Sequence, residues 1–249
     1  MEKELKFQLI QPEEALADFV YCFTSLQNFS PQAEAVIFPN GKVDLVFASA
    51  EGAVSFVALL GLETLPKYTN AEVSGFFSVS FHPLAIEYLF EEPIADIVNT
   101  GRLLPNDFWG IVPEDLNSFE GFTSKITQKI LELLPVKIDE RKRQLFKLVV
   151  DSNGEIPVRK ISETVFWSER QINRYFNRQF GLSLKEYCKI LRFQASLTHI
   201  QKGELYPQLN FTDQSHFIKE IKHLSGVSPK ELYKNENDRF LQFLASAKK

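Results

Sequence analysis

"WSERQINRYFNRQFGLSLKEY", Trp167 to Tyr187, is the stretch on which the fold turns. Ser168 stands where a helix needs an N-cap. In the segment that follows, Ile172, Phe176 and Phe180 fall on one side. Arg170, Arg174 and Arg178 recur every four residues on another side, with Asn173 and Asn177 beside them. Gly181 closes the helix. Ser183 opens the next one with Glu186 three residues on, which is a capping box. The layout recurs downstream in "FTDQSHFIKEIKHLSGVSPKEL", Phe211 to Leu232. Thr212 is the expected N-cap there and Asp213 the first-turn acid, placed where the helix dipole favours it. Phe217, Ile221 and Leu224 keep helical spacing, Gly226 closes, and Ser228 with Glu231 forms the second box. Trp167 to Phe211 is 44 positions and Gly181 to Gly226 is 45. A compound unit repeated at a nearly constant offset points to a duplicated structural element.

Upstream of Trp167, Val158 to Val165 reads as a short helix, joined to the next by Phe166 and Trp167 alone. Two short helices, a tight connection and a polar face on the second form a helix-turn-helix layout. Arginine can bind guanine through two hydrogen bonds and asparagine can do the same to adenine, while flanking cations neutralise phosphates. A merely solvated helix face usually mixes Glu with Lys; here three arginines follow a single Glu169. Leu184 to about Gln201 reads as one helix between the two units. Its roughly 18 residues would span about 27 Å at 1.5 Å each. That approaches the roughly 34 Å between successive major grooves on one face of DNA.

These residues resemble a known family. "FGLSLKEYCKILRFQ" (Phe180 to Gln194) and "NFTDQSHFIKEIKHLSGVSPKEL" (Asn210 to Leu232) are similar to the linker-helix start and second-motif signature of the AraC/XylS family of bacterial transcription regulators. The likeness covers about residues 137–234. It implies two helix-turn-helix motifs joined by a long helix and contacting adjacent major grooves. Carried over position by position, Arg170, Asn173 and Arg174 would face bases in the first motif, with Asn177 alongside. Gln214, Ser215 and Lys219 would face bases or backbone in the second. Arg178, Lys185 and Lys222, with Lys219, would lie at or near phosphates. One departure matters. Only "ELYPQLN" separates Gly203 from Phe211, about a helical turn less than the family's scaffold helix, and Pro207 sits inside it. The second motif is therefore expected to rest on a stub at best, with the first carrying most base readout. His216 is expected to steady that motif rather than bind a ligand.

Charge divides the chain. Residues 136–249 hold 21 Lys and Arg against 13 Asp and Glu, and residues 1–135 hold 7 against 19. A basic end of net +8 attached to an acidic end of net −12 suggests two modules with different partners, a polyanion among them. We place the boundary at Pro135, giving domains 1–135 and 136–249. The first domain reads as α+β: a small sheet or barrel of about five strands with helices, the second being all-α. Expected elements are a helix over "QPEEALADFVYCF" (Gln11 to Phe23), a hairpin turned by Asn40-Gly41, a helix from Pro83, and a helix ending before Pro135. Phe38, Phe47, Phe77, His82 and Trp109 are the candidate effector-binding residues, though most phenylalanines of a chain with 23 of them are ordinary core. The likeness gives this domain the role of sensing a small-molecule effector or forming a homodimer.

Enzymatic constellations are missing. The four histidines show no HxxxH pair, and no G-x-S-x-G, P-loop or dinucleotide fingerprint occurs. His216 and Glu220 form the one metal-like i,i+4 pair, but Glu220 more naturally meets water or a lysine. Cys22 and Cys188 are too few and too far apart for a disulfide framework, and Cys188 reads as core. No apolar run suits a signal peptide or a bilayer span. The expectation is a cytoplasmic regulator, not an enzyme and without a cofactor or membrane partner, that binds double-stranded promoter DNA. The alternative is a ligand- or protein-binding module that kept the fold and lost specific DNA binding through the shortened second motif.

Overall fold

The computed structural model describes residues 6–28, 35–50, 53–69 and 75–235. Among them, two compact units form: one holds 6–28, 42–50, 53–61 and 75–138, the other 35–41, 62–69 and 139–235. An N-terminal sheet followed by a helical region is the α+β then all-α order read from the sequence. The second unit also takes two short segments from the N-terminal half of the chain.

In the first unit, β1 (Lys6–Ile10), β2 (Val20–Gln27), β4 (Val43–Ala50), β5 (Ala53–Leu60), β7 (Gly75–Phe81) and β8 (Gly101–Leu104) form one antiparallel sheet in the order β1-β2-β7-β4-β5-β8. The helix expected over Gln11–Phe23 is absent. Glu14–Leu16 make a single 3-10 turn, and β2 starts at Val20. Leu16, Phe19, Val20 and Phe23 do have helical spacing, but Val20, Tyr21 and Phe23 are strand formers. β2 is hydrogen-bonded on both edges, to β1 and β7, so pairing outweighs the local pattern. The Asn40-Gly41 hairpin is also absent. Gly41 has φ 69°, yet β3 (Ala35–Ile37) pairs with β6 (Lys67–Thr69) instead of β4. Only one residue of the pair takes the positive φ that a two-residue turn of this kind needs at both. Pro39, lacking an N–H, further weakens a ladder there.

One sheet face is apolar by alternation: Leu45 lies opposite Val79 and Phe47 opposite Phe77. It packs on α2 (Phe119–Leu133), capped by the Ser118 hydroxyl, which accepts the Gly121 N–H at 3.1 Å. Phe47 meets Phe122 at 5.4 Å, and Phe77 meets Phe119 and Phe122 at 5.3 and 5.2 Å. α1 (Pro83–Leu89) starts at the expected proline, just after β7.

The second unit contains α3 (Glu140–Asp151), α4 (Val158–Val165), α5 (Glu169–Phe180), α6 (Leu184–Gln201), α7 (Gln214–Ser225) and α8 (Pro229–Lys234). Phe146 of α3, Phe176 and Phe180 of α5 and Tyr187 of α6 make one aromatic knot, with centroids 5.3 to 6.4 Å apart. A second core holds Ile190, Phe193, Leu197 and Ile200 of α6, Phe217, Ile221 and Leu224 of α7, and Leu232 of α8. Val36 and Phe38 complete it from β3 and the residue after it. The turn before α4 shows why glycine is needed once. Gly154 has φ 72°, and a Cβ there would run into the Cys188 carbonyl oxygen of α6. Gly154→Ala is expected to cost about 2–4 kcal/mol, combining left-handed strain with overpacking. Chemical denaturation reads this directly, and a loss below 1 kcal/mol would contradict the close approach.

Candidate nucleic-acid interface

Each end of α5 is fixed by its own sequence. Ser168 accepts the Gln171 N–H, and the Gln171 side chain returns to the Ser168 N–H at 2.9 Å. Gly181 at φ 75° terminates the helix. Ile172, Phe176 and Phe180 are wholly buried. That inward face leaves Arg170, Arg174, Asn177 and Arg178 exposed and Asn173 half-buried. Among the described residues no acidic partner stands within ion-pair distance of Arg170, Arg174 or Arg178. The asparagines are engaged differently. Asn173 Nδ2 donates to the Glu169 carbonyl at 3.1 Å and Asn177 Nδ2 to the Asn173 carbonyl at 2.8 Å. They can reach outward only after leaving those backbone bonds.

α6 has the predicted 18-residue length and its capping box, Ser183 with Glu186. Lys185 is exposed on its first turn. The entrance of the second motif lacks a scaffold helix and is capped one residue later than expected. No helix forms over 203–213, and Pro207 lies in a bend-rich connection. Asp213, not Thr212, is the N-cap of α7, accepting the His216 N–H at 2.8 Å. The Thr212 N–H donates instead to His216 Nδ1 at 3.3 Å. An accepting Nδ1 leaves the proton on Nε2, 3.3 Å from the Glu220 carboxylate. Lys189 of α6 reaches the same oxygen at 3.2 Å. Neither contact makes an aligned hydrogen bond, so Glu220 is held by the Lys189 charge more than by directed bonding. Glu220 thus ties α7 to α6 through Lys189, while its contact with His216 stays within α7. Gln214, Ser215, Lys219 and Lys222 are exposed on α7, with Gln214 Nε2 donating to the Leu205 carbonyl at 2.9 Å.

Of the five candidate effector residues, Phe38 belongs to the second unit and Phe47, Phe77, His82 and Trp109 to the first. Phe38 is fully buried in the second unit's core, edge-on to Phe193 at 5.7 Å. Phe47 and Phe77 are sheet core against α2. Trp109 joins Phe90 and Phe108 in a stack, at 5.4 and 5.2 Å. His82 sits at the start of α1 among groups that sequence reading missed. Tyr21 lies edge-on to it at 5.8 Å, and the Lys42 ammonium stands 4.7 Å over the Tyr21 ring. Ser80 donates to Asp44, its cross-strand neighbour, and Cys22 Sγ lies 3.7 Å from Thr24. The available signal was Asp44 and Ser80, polar residues interrupting otherwise apolar strands.

Burial, then the Lys42 charge, pushes the His82 imidazole down to about 3. Burial also lowers Lys42 to about 8, with Asp44 opposing. The folded chain therefore holds His82 neutral while the unfolded chain protonates it near 6.5. The associated stability is complete above pH 6.5 and is lost as pH falls toward 3. Between pH 7 and pH 5 the loss is about 2 kcal/mol. His82→Gln should remove that part of the pH dependence in denaturation curves. An unchanged slope would mean that His82 is not held neutral.

Residues 8–101 match the family model described as a domain of unknown function (DUF6597). Solved structures of ToxT from Vibrio cholerae are similar over almost the whole chain. A 1.65 Å form is 13% identical, covering 93% of this chain and 97% of that one with a TM-score of 0.44. ToxT from strain O395 bound to (E)-4-(8-methylnaphthalen-1-yl)but-3-enoic acid is 14% identical over 92% and 98%, TM-score 0.45. Unsaturated fatty acid bound wild-type ToxT from strain SCE256 is 14% identical over 93% and 97%, TM-score 0.44. No curated protein matches. Among the described residues, no helix is long and apolar enough to cross a membrane, and no group of three or more His, Cys, Asp or Glu is arranged to hold a metal ion.

Proposed function

We propose that this chain is a sequence-specific DNA-binding transcription regulator. In this reading its 136–249 region binds promoter DNA, while the acidic 1–135 domain senses a small molecule or mediates homodimerisation. One observation carries the proposal. α5, the second helix of a helix–three-residue–helix unit, presents Arg170, Arg174 and Arg178 to solvent with no acidic partner among the described residues. Leaving three guanidinium groups unneutralised on one short helix suits a polyanion. Their fork geometry suits the guanine edge in a major groove.

Arg170, Arg174 and Asn173 read bases in this account. Arg178, Lys185, Lys219 and Lys222 lie along phosphates. α6 sets the separation of the motifs, about 27 Å from its 18 residues. Gln214 and Ser215 occupy the first turn of α7, the end that meets bases in such motifs. The connection before α7 lacks a helix, which keeps the division of labour proposed from the sequence: base readout mainly by the first motif, backbone grip by the second.

Selection of bound fragments from a random DNA pool by the full chain, followed by titration at two salt concentrations, tests the proposal. The expected result is a recovered sequence motif bound with affinity that falls steeply as salt rises. No retention of DNA at low salt would remove the proposal and favour the alternative, a module that has lost DNA binding.

A further inference from the structure

Phe166 is the one bulky residue of the α4–α5 turn that the fold does not use. Its neighbour Trp167 packs, with its ring 5.5 Å from Tyr175 and the Arg141 guanidinium 5.3 Å over it. Phe166 is 87% exposed and has φ 55°, ψ 35°. A single exposed phenylalanine needs no explanation. An exposed phenylalanine in left-handed backbone does, because a bulky side chain is strained there and glycine or asparagine is not. Other non-glycine residues at positive φ among the described ones make the comparison: Asn28, Asn99, Asn153 and Asn235 are of the tolerant type, and Trp109 sits in a stack of rings. Phe166, the left-handed C-cap of α4, is neither of the tolerant type nor packed among rings. It bears both costs in the turn that leads into the N-terminal end of α5, between a helix carrying Arg159 and Lys160 and one carrying Arg170 and Arg174.

We infer that Phe166 is a DNA contact residue whose ring lies against a thymine methyl at the edge of the groove entered by α5. The inference rests on the DNA-binding reading above and adds an apolar component to it. Phenylalanine is suited to that methyl group, which distinguishes A·T pairs in the major groove. Arg170 and Arg174, which follow in α5 with no acidic partner among the described residues, argue for DNA over a protein as the occupant, whereas Arg159 is already paired with Glu163 at 3.0 Å. Left-handed backbone then has a purpose, because it turns Phe166 outward while Trp167 turns in.

The test uses full-length protein and a fragment recovered by selection, with binding measured across several salt concentrations. Phe166→Gly should weaken binding at least about fivefold without changing the salt dependence, because a neutral ring displaces no counterions. The same variant should melt about 2–4 °C higher, since glycine relieves the strain. Phe166→Tyr should stay near wild type. Phe166→Asn, which tolerates the backbone, should bind as weakly as the glycine variant. Replacing thymines one at a time by uracil should weaken wild type at one position and leave Phe166→Gly unaffected there. Equal affinity of Phe166→Gly and wild type overturns the inference while leaving the DNA-binding reading in place. So do a changed salt dependence, a lowered melting temperature, weak binding by Phe166→Tyr, wild-type binding by Phe166→Asn, or the absence of a uracil-sensitive position. Failure of wild type to bind any DNA overturns both.

Discussion

Phe38→Ala is expected to destabilise the helical unit by about 3–5 kcal/mol, the range for removing a fully buried phenyl ring from a core that cannot collapse around the gap. Phe38 is 0% exposed and stands edge-on to Phe193, a residue of α6 far along the chain. The segment that holds it is anchored on the same helix. Tyr187 donates its hydroxyl hydrogen to the Gly41 carbonyl at 3.3 Å, and Gln194 donates to the Pro39 carbonyl. Val36 and Phe38 share one core with Phe217, Ile221 and Leu224, the whole buried apolar face of α7. No helix precedes α7 over 203–213, and Val36 and Phe38 supply part of the apolar wall against α7, beside Leu205 and Phe211 of that connection. Denaturation of Phe38→Ala followed by amide exchange on α7 checks this. The expected result is loss of protection on α7 together with loss of stability. Phe47→Ala serves as the contrast, because Phe47 packs on α2 of the other unit and should leave α7 protected. A cost below 1 kcal/mol for Phe38→Ala, with α7 unaffected, would mean that β3 is not part of that core.

Legibility followed the locality of the determinants. The helical region was readable because its signals are local: serines that cap and box α5, α6 and α8, glycines that close α5 and α7, and apolar residues at helical spacing. α6 ends where the spacing ends. The first unit was less readable because its decisive contacts are non-local. Leu16, Phe19, Val20 and Phe23 satisfy a helical pattern, and only two partner strands, one of them distant in sequence, show that β2 is a strand. Asn40-Gly41 carries the residues of a hairpin turn, and nothing nearby reveals that β3 leaves for β6 and the helical unit. The same holds for Phe38, a strand residue by pattern and a core residue of α6 and α7 by structure. Within the candidate interface, the arginine face was legible from spacing alone. The back-bonding of Asn173 and Asn177 was not, since side-chain amides choose between backbone and solvent by rotamer. Phe166 was legible only as part of a short connection, because its φ is not written in its residue type.

Arg170→Ala with Arg174→Ala is expected to reduce binding to a selected DNA site by about 2–6 kcal/mol, at about 1–3 kcal/mol for each base-reading arginine. The double variant is a clean test because the two side chains contribute little to folding. Both are exposed, neither has an acidic partner among the described residues, and alanine is at least as good a helix former. Melting temperature should therefore hold steady while affinity falls, separating a contact role from a structural one. Sequence dependence supplies the second readout. If the arginines meet base edges, the loss falls mainly on the selected sequence and affinity for unrelated DNA changes far less. Arg178→Ala is the counterpart. As a phosphate contact it should weaken selected and unrelated DNA alike and reduce the salt slope by about 1. An equal loss on all sequences for the double variant would move Arg170 and Arg174 from bases to backbone. Base readout would then pass to Gln214 and Lys219 on α7, and a larger effect on sequence preference from their alanine variants than from Arg174→Ala would reverse the division between the two motifs.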